Sequence, residues 1–128
     1  MQFYPRSPRG ACARNEQGVR GDVSDAVCTH LGEVVVRELP SEVGGCADCL
    51  RHGGKWLHLR ICLTCGHVGC CDDSPNRHAT AHHHATSHSI IRSLEPGEDW
   101  SWCYVDEVAF RLDGITGTTR IPPSPLLQ

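Results

Sequence analysis

Apolar and polar positions alternate in short runs through the middle of the chain, and the period is mostly that of strands. Gly32–Leu39 is rich in β-branched residues, and Lys55–Ile61 alternates, with Leu57, Leu59 and Ile61 on one side and Trp56, His58 and Arg60 on the other. Both read as strands. Ile90–Leu94 and Trp100–Val105 predict two more, joined through Glu95-Pro96-Gly97, whose proline and glycine suit a tight turn. A hairpin is expected there. One segment has a helical signature: Ser74 as N-cap, Pro75 at the first helical position, then Ala79, Ala81 and Ala85, ending near Thr86. The predicted class is α+β, a small antiparallel sheet with one or two packed helices.

The flanks carry no such period. Residues 1–25 are rich in Arg, Gly, Pro and Ser and are expected to be disordered. The domain is expected over 26–115. Beyond it, 116–128 reads as a Pro-rich tail, because Ile121–Gln128 holds three prolines in eight residues. No repeat is visible within the domain.

Composition then changes the picture. The chain has 128 residues with nine Cys and nine His, against one Met, two Phe and two Tyr. Such a core is thin for its length, and small domains of this kind are usually completed by disulfides, metal or a partner. The longest purely aliphatic run, Val34-Val35-Val36, is far short of the roughly 18 apolar residues a membrane span needs. Met1–Arg20 has no apolar stretch of the secretory kind. The expected compartment is therefore the reducing cytoplasm, where closely spaced cysteines are more often metal ligands than disulfides. Net charge is −3, and eleven arginines and one lysine are scattered rather than blocked. That argues against nucleic acid and anionic membrane as partners.

The strongest chemical signal is a pair of CxxC knuckles, Cys46-Ala47-Asp48-Cys49 and Cys62-Leu63-Thr64-Cys65. Two thiolates at this spacing reach adjacent corners of a zinc tetrahedron. Each knuckle is half a site. The other halves must come from Cys70, Cys71 and the histidines beyond. On the predicted helix His78 and His82, four apart, share a face, while His83 and His84 point elsewhere and read as solvated. His88, just past the helix, is free to fold back. Cys71 and Cys12 receive no role.

These residues resemble a known family. Cys28-x-His30, the two knuckles, Val68-Gly69-Cys70, His78-x3-His82-x5-His88 and Trp102-Cys103-Tyr104 are similar to the UBP-type zinc finger, the ubiquitin-binding finger of deubiquitinating enzymes and a histone deacetylase. The resemblance spans about Cys28 to Phe110 and implies three zinc ions in a twisted antiparallel sheet with packed helices. Carried over position by position, it implies that Cys46, Cys49, Cys70 and His78 hold one zinc and Cys62, Cys65, His82 and His88 a second. For the third the family has a late CxxC, whereas this chain reads Cys103-Tyr104-Val105-Asp106. Aspartate is a harder but legitimate zinc ligand. Cys28, His30, Cys103 and Asp106 are expected as the third site, the alternative being that Asp106 is only a surface carboxylate.

With four protein ligands per zinc, no position is left for a catalytic water, and no nucleophile elbow or phosphate-cradling loop appears in the sequence. A binding module is expected, not an enzyme. The resemblance implies that an arginine two residues past the third cysteine reads the carboxylate of the ubiquitin tail, with aromatics walling the pocket. Here Asp72 stands at that position and Arg60 replaces an aromatic before the second knuckle, while Trp102 and Tyr104 are retained. The expected ligand is a protein or peptide presenting a cationic group to Asp72, beside an aromatic wall of Trp102 and Tyr104, with Arg60 offering a carboxylate contact from another direction and ordinary ubiquitin-tail recognition lost. The arginine bias suggests a GC-rich genome and a stand-alone bacterial member. Two alternatives stand beside this reading: a zinc-dependent nucleic-acid module stacking bases on Trp56, Trp100 and Trp102, and a redox or metal-responsive protein using Cys71 and the surplus histidines.

Overall fold

The computed structural model describes residues 28–127. The expectation for residues 1–25 and the position of Cys12 lie outside the described residues. In chain order the elements are α1 (Ala47–His52), β1 (Leu59–Cys62), β2 (Val68–Cys70), α2 (His78–Thr86), β3 (Ile90–Ser93), β4 (Trp100–Cys103) and β5 (Val108–Arg111). Short 3-10 turns lie at Leu31–Glu33 and Pro125–Leu127. The strands make one antiparallel sheet in the order β2-β1-β3-β4-β5. The α+β class is as expected.

The hairpin of β3 and β4 forms as its turn residues predict, with Ile90 opposite Cys103 and Arg92 opposite Ser101. Glu98 N donates to Glu95 O, and Gly97 takes a φ of 80°, the left-handed value this turn needs. Elsewhere the structure departs from the sequence pattern. The strand expected over Lys55–Ile61 begins only at Leu59, because Leu57 N is taken by Ser74 Oγ at 2.8 Å. Its inside-outside alternation also disappears. All four residues of β1 are buried, since β1 is flanked by β2 and β3 and packed on both faces.

Gly32–Leu39 is not a ladder strand. After the 3-10 turn, Val35 N and Val36 N both donate to Leu63 O, so the segment crosses the end of the sheet and buries Val34 and Leu39 against it. It continues as a rail for the chain's far end: Glu38 bridges Thr116 and Glu42 bridges Arg120 in parallel. Ser124 Oγ then donates to Trp56 O at 2.6 Å, which ties residues 116–127 to the domain.

Helix α2 starts at His78, three residues later than Pro75. Ser74 cannot cap it, because its hydroxyl is committed to Leu57 N and lies 3.4 Å from Cys71 Sγ. Arg77 at the cap has a left-handed φ of 47° and no side-chain cap bond; instead Cys70 Sγ accepts from His78 N at 3.2 Å. A sulfur does what a serine was expected to do. Helix α1, β2 and β5 were not anticipated. In α1 the Cys46 sulfur accepts from Cys49 N and Gly53 closes the helix at φ 79°, so the knuckle and the helix are one structure.

Leu59, Ile61, Leu63 and Ile90 form the fully buried centre of the core, with Trp56, Val68, Val108 and Phe110 around them. Helix α2 contributes only Ala79 to burial. It is seated by close approach instead: a Cβ on Gly69 would lie 2.7 Å from Ala79 N and 2.9 Å from Ala79 Cα. Gly69→Ala must push α2 away and is expected to destabilise the domain by about 1–3 kcal/mol, as overpacking does. A chemical-denaturation midpoint measures this, and an unchanged midpoint would mean that α2 is not held against β2.

Candidate metal centres and the adjoining surface

Three groups of four donors meet among the described residues: Cys46, Cys49, Cys70 and His78; Cys62, Cys65, His82 and His88; Cys28, His30, Cys103 and Asp106. Within each group the donor atoms all lie within 4.8 Å of one another. The first joins α1 to β2 and α2. The second joins the β1 end to α2 and to His88, two residues before β3. The third ties residues 28–30 to the end of β4. Helix α2 gives His78 to one group and His82 to the next, as their four-residue spacing requires.

Donor spacing tests whether a metal fits. With Zn–S of about 2.3 Å and Zn–N of about 2.0–2.1 Å, a tetrahedron has S···S edges near 3.8 Å and S···N edges of about 3.5–3.6 Å. In the first group His78 Nδ1 lies 3.3 Å from Cys46 Sγ, 3.3 Å from Cys49 Sγ and 3.6 Å from Cys70 Sγ, and the Cys49 and Cys70 sulfurs are 3.9 Å apart. In the second, Cys62 Sγ is 3.5 Å from His88 Nδ1 and Cys65 Sγ 3.3 Å from His82 Nε2. Both have zinc-sized edges. The third has Cys103 Sγ 3.5 Å from His30 Nδ1 and 3.7 Å from Asp106 Oδ2. Its His30–Asp106 edge is 3.0 Å, an imidazole–carboxylate contact, and the same oxygen accepts from Thr29 N at 2.7 Å. Each of the three groups can hold a zinc ion, and the third alone includes a carboxylate.

The electrostatics within the groups suit a cation. A hydrogen bond with Cys70 lowers the Cys46 thiol to about 5, while the same contact and burial raise Cys70. In the third group a hydrogen bond with Cys28 lowers Cys103 to about 7, and the reciprocal contact raises Cys28. The Thr29 amide, together with His30, holds the Asp106 carboxyl below its usual range. One thiol in each pair therefore gives up its proton readily and the other resists, because like charges this close cannot both form without a cation between them.

The surface beside the first group contains most of the residues singled out for binding. Asp72 is exposed, and its Oδ1 accepts from Thr80 Oγ1 at 2.5 Å. Thr80 Oγ1 lies 3.2 Å from Tyr104 Oη, and the Tyr104 ring stacks on His83 at 4.5 Å with 10° between planes. Trp102 stands half-buried two residues before Tyr104 on β4. Arg60 does not join them. It is buried on β1 with its guanidinium 4.7 Å above the Trp100 ring and bonded to Leu59 O and Ser93 Oγ, at the opposite end of β4 from Tyr104. His83, expected to be solvated, is instead the ring on which Tyr104 rests, and its Nδ1 lies 2.8 Å from His88 O. His84 is exposed. Thr80 carries no signal in the sequence, because nothing in its spacing marks a contact with Asp72 or Tyr104.

Cys71 belongs to none of the groups. It is buried, with Sγ 3.4 Å from Ser74 Oγ and 3.9 Å from His58 Nδ1. No helix among the described residues is long and apolar enough to cross a membrane.

A small α+β domain with three Cys/His-rich groups, each able to take zinc, is the build of a zinc finger. Residues 46–112 match the family described as "Zn-finger in ubiquitin-hydrolases and other protein", and the chain belongs to that family. It is 42% identical over 105 residues to ubiquitin carboxyl-terminal hydrolase 16 of Mus musculus, a match that covers 67% of this chain and 12% of that protein. The chain thus spans about an eighth of the curated relative it matches. The solution NMR structure of a Rhodopseudomonas palustris protein is 48% identical, with a TM-score of 0.63, over 79% of this chain and 96% of that one.

Proposed function

We propose that this domain is a non-catalytic, zinc-stabilised module that recognises a protein or peptide. Zinc is held by Cys46, Cys49, Cys70 and His78, by Cys62, Cys65, His82 and His88, and by Cys28, His30, Cys103 and Asp106. One observation carries the reading: every candidate group closes with four protein donors, which leaves no open metal position for substrate or water. The metal supplies rigidity, and the chemistry of recognition falls to the surface beside it.

That surface is the Asp72–Thr80–Tyr104–His83 cluster, with Trp102 alongside. An exposed carboxylate ordered by a threonine hydroxyl and flanked by stacked rings suits a cationic group, a lysine or arginine side chain or a free amine. It opposes a peptide carboxylate. Although the mouse relative is named for ubiquitin carboxyl-terminal hydrolysis, the free ubiquitin tail is not the ligand proposed here. We place the protein in the cytoplasm, where its thiols stay reduced.

The other readings have less support. Trp56 is buried and Trp100 lies under Arg60, so the tryptophans do not line up as a platform for bases. Cys71 is too buried to serve as an exposed redox thiol. A fluorescence titration with short peptides, read at Trp102, tests the proposal. Peptides with a free amine or lysine are expected to bind more tightly than acetylated ones, and Asp72→Asn is expected to remove most of that difference, about 0.5–1 kcal/mol for a charge pair at an exposed carboxylate. Micromolar binding of ubiquitin that Asp72→Arg leaves unchanged would overturn it.

A further inference from the structure

Metal-binding histidines usually donate their second ring nitrogen to a carboxylate or carbonyl, which fixes the ring's orientation. His82 has Nε2 turned to Cys65 Sγ at 3.3 Å, and among the described residues no hydrogen bond reaches its Nδ1. The His67 imidazole lies on the His82 ring, with centroids 4.5 Å apart and planes within 10°. His67 is itself fixed at two points. Its carbonyl accepts from Cys62 N at 2.8 Å, which roots it in the second knuckle, and its Nε2 lies 2.8 Å from Asp48 Oδ2. Asp48 sits between Cys46 and Cys49 on α1, in the first knuckle, where Arg51 Nη2 donates to its other oxygen.

We propose that His67, clamped by Asp48, is a positioning residue for His82 and makes filling of the second metal centre depend on the first. This coupling rests on the ligand sets proposed above and goes beyond them. Closing the first centre orders α1, which places Asp48. Asp48 then sets the His67 ring, and the ring holds His82 ready for the second ion. A second connection runs in parallel through α2, which carries His78 and His82 on one face. Asp48, His67, His78 and His82 all line one cavity of about 260 Å³, together with His52, Ala81 and Ala85. The connection therefore runs along the wall of a shared cleft between the two centres. The contact is shielded as well as close, with the His67 and Asp48 side chains only 25% and 17% exposed.

Zinc titration of the full chain against a competing chelator tests this, with occupancy read separately from zinc-bound imidazole resonances of His78 for the first centre, His82 and His88 for the second, and His30 for the third. In the unaltered chain the first and second centres are expected to fill together. In His67→Ala the second should need roughly tenfold more free zinc, the usual cost of losing such a supporting partner, while the first and third move less than about twofold. Asp48→Ala should lag in the same way, and Asp48→Asn, which keeps an oxygen for His67, should return to within about twofold of the unaltered chain. Should His67→Ala fail to fold, His67→Phe keeps a ring to stack and should still delay the second centre relative to the first. A shift shared equally by all three centres, or no shift at the second, overturns the coupling. If the unaltered chain shows no zinc-bound resonances for these histidines, the ligand sets themselves fail.

Discussion

Stripped of metal by a strong chelator, the full chain loses its cooperative thermal transition and its amide chemical-shift dispersion, and stoichiometric zinc restores both. This is the largest effect expected, and it follows from how little else holds the parts together. Helix α2 buries one residue, Ala79, and its N-terminus has no side-chain cap except the Cys70 sulfur. Residues 28–30 reach the end of β4 through Cys28, His30 and Asp106. Without a cation, each group brings two or three thiols and one or two imidazoles into one small space, where a single thiolate already raises its neighbour. Structural zinc in finger peptides is worth about 10–16 kcal/mol of apparent binding free energy at neutral pH, which here becomes folding free energy. Circular dichroism and a proton–nitrogen correlation spectrum measure the loss. A chain that kept its melting transition in excess chelator would show that the apolar core suffices.

The second large effect separates two adjacent cysteines. Cys70→Ser removes a fully buried thiolate from the first group and replaces the sulfur that accepts from His78 N by a shorter hydroxyl, so α2 loses one of its two metal anchors and its cap is weakened. The cost is expected to exceed about 4 kcal/mol, the range reserved for losing a metal or a buried network, with at least one zinc fewer per chain. Cys71→Ser, one residue away and equally buried, keeps a small polar group beside Ser74 Oγ and touches no metal group. It should keep every zinc and cost no more than about 1–2 kcal/mol. Metal analysis and denaturation of the two variants decide the matter. Equal losses in both would remove the distinction between ligand and bystander.

What the sequence made legible follows from the range of each interaction. The knuckles are local spacings, and His78 and His82 lie one helical turn apart, so both could be read without tertiary information. The start of α2 could not. Ser74 looks like an N-cap until Leu57, seventeen positions back, claims its hydroxyl. The alternation in Lys55–Ile61 misled in the same way, because β1 is covered on both faces and polarity there no longer reports exposure: Arg60 is only 5% exposed. Short β2 and β5 have three and four residues and carry no period to detect. His67 was invisible for a different reason. Its partners, Asp48 and His82, are nineteen and fifteen residues away, and nothing in their spacing marks a contact.

If three four-donor metal sites close the fold, a zinc count by native mass spectrometry will register them. The intact chain is expected to carry three zinc ions, and Asp106→Ala two, with the fold retained. Two or fewer ions on the intact chain, or three on Asp106→Ala, would contradict closure by three sites.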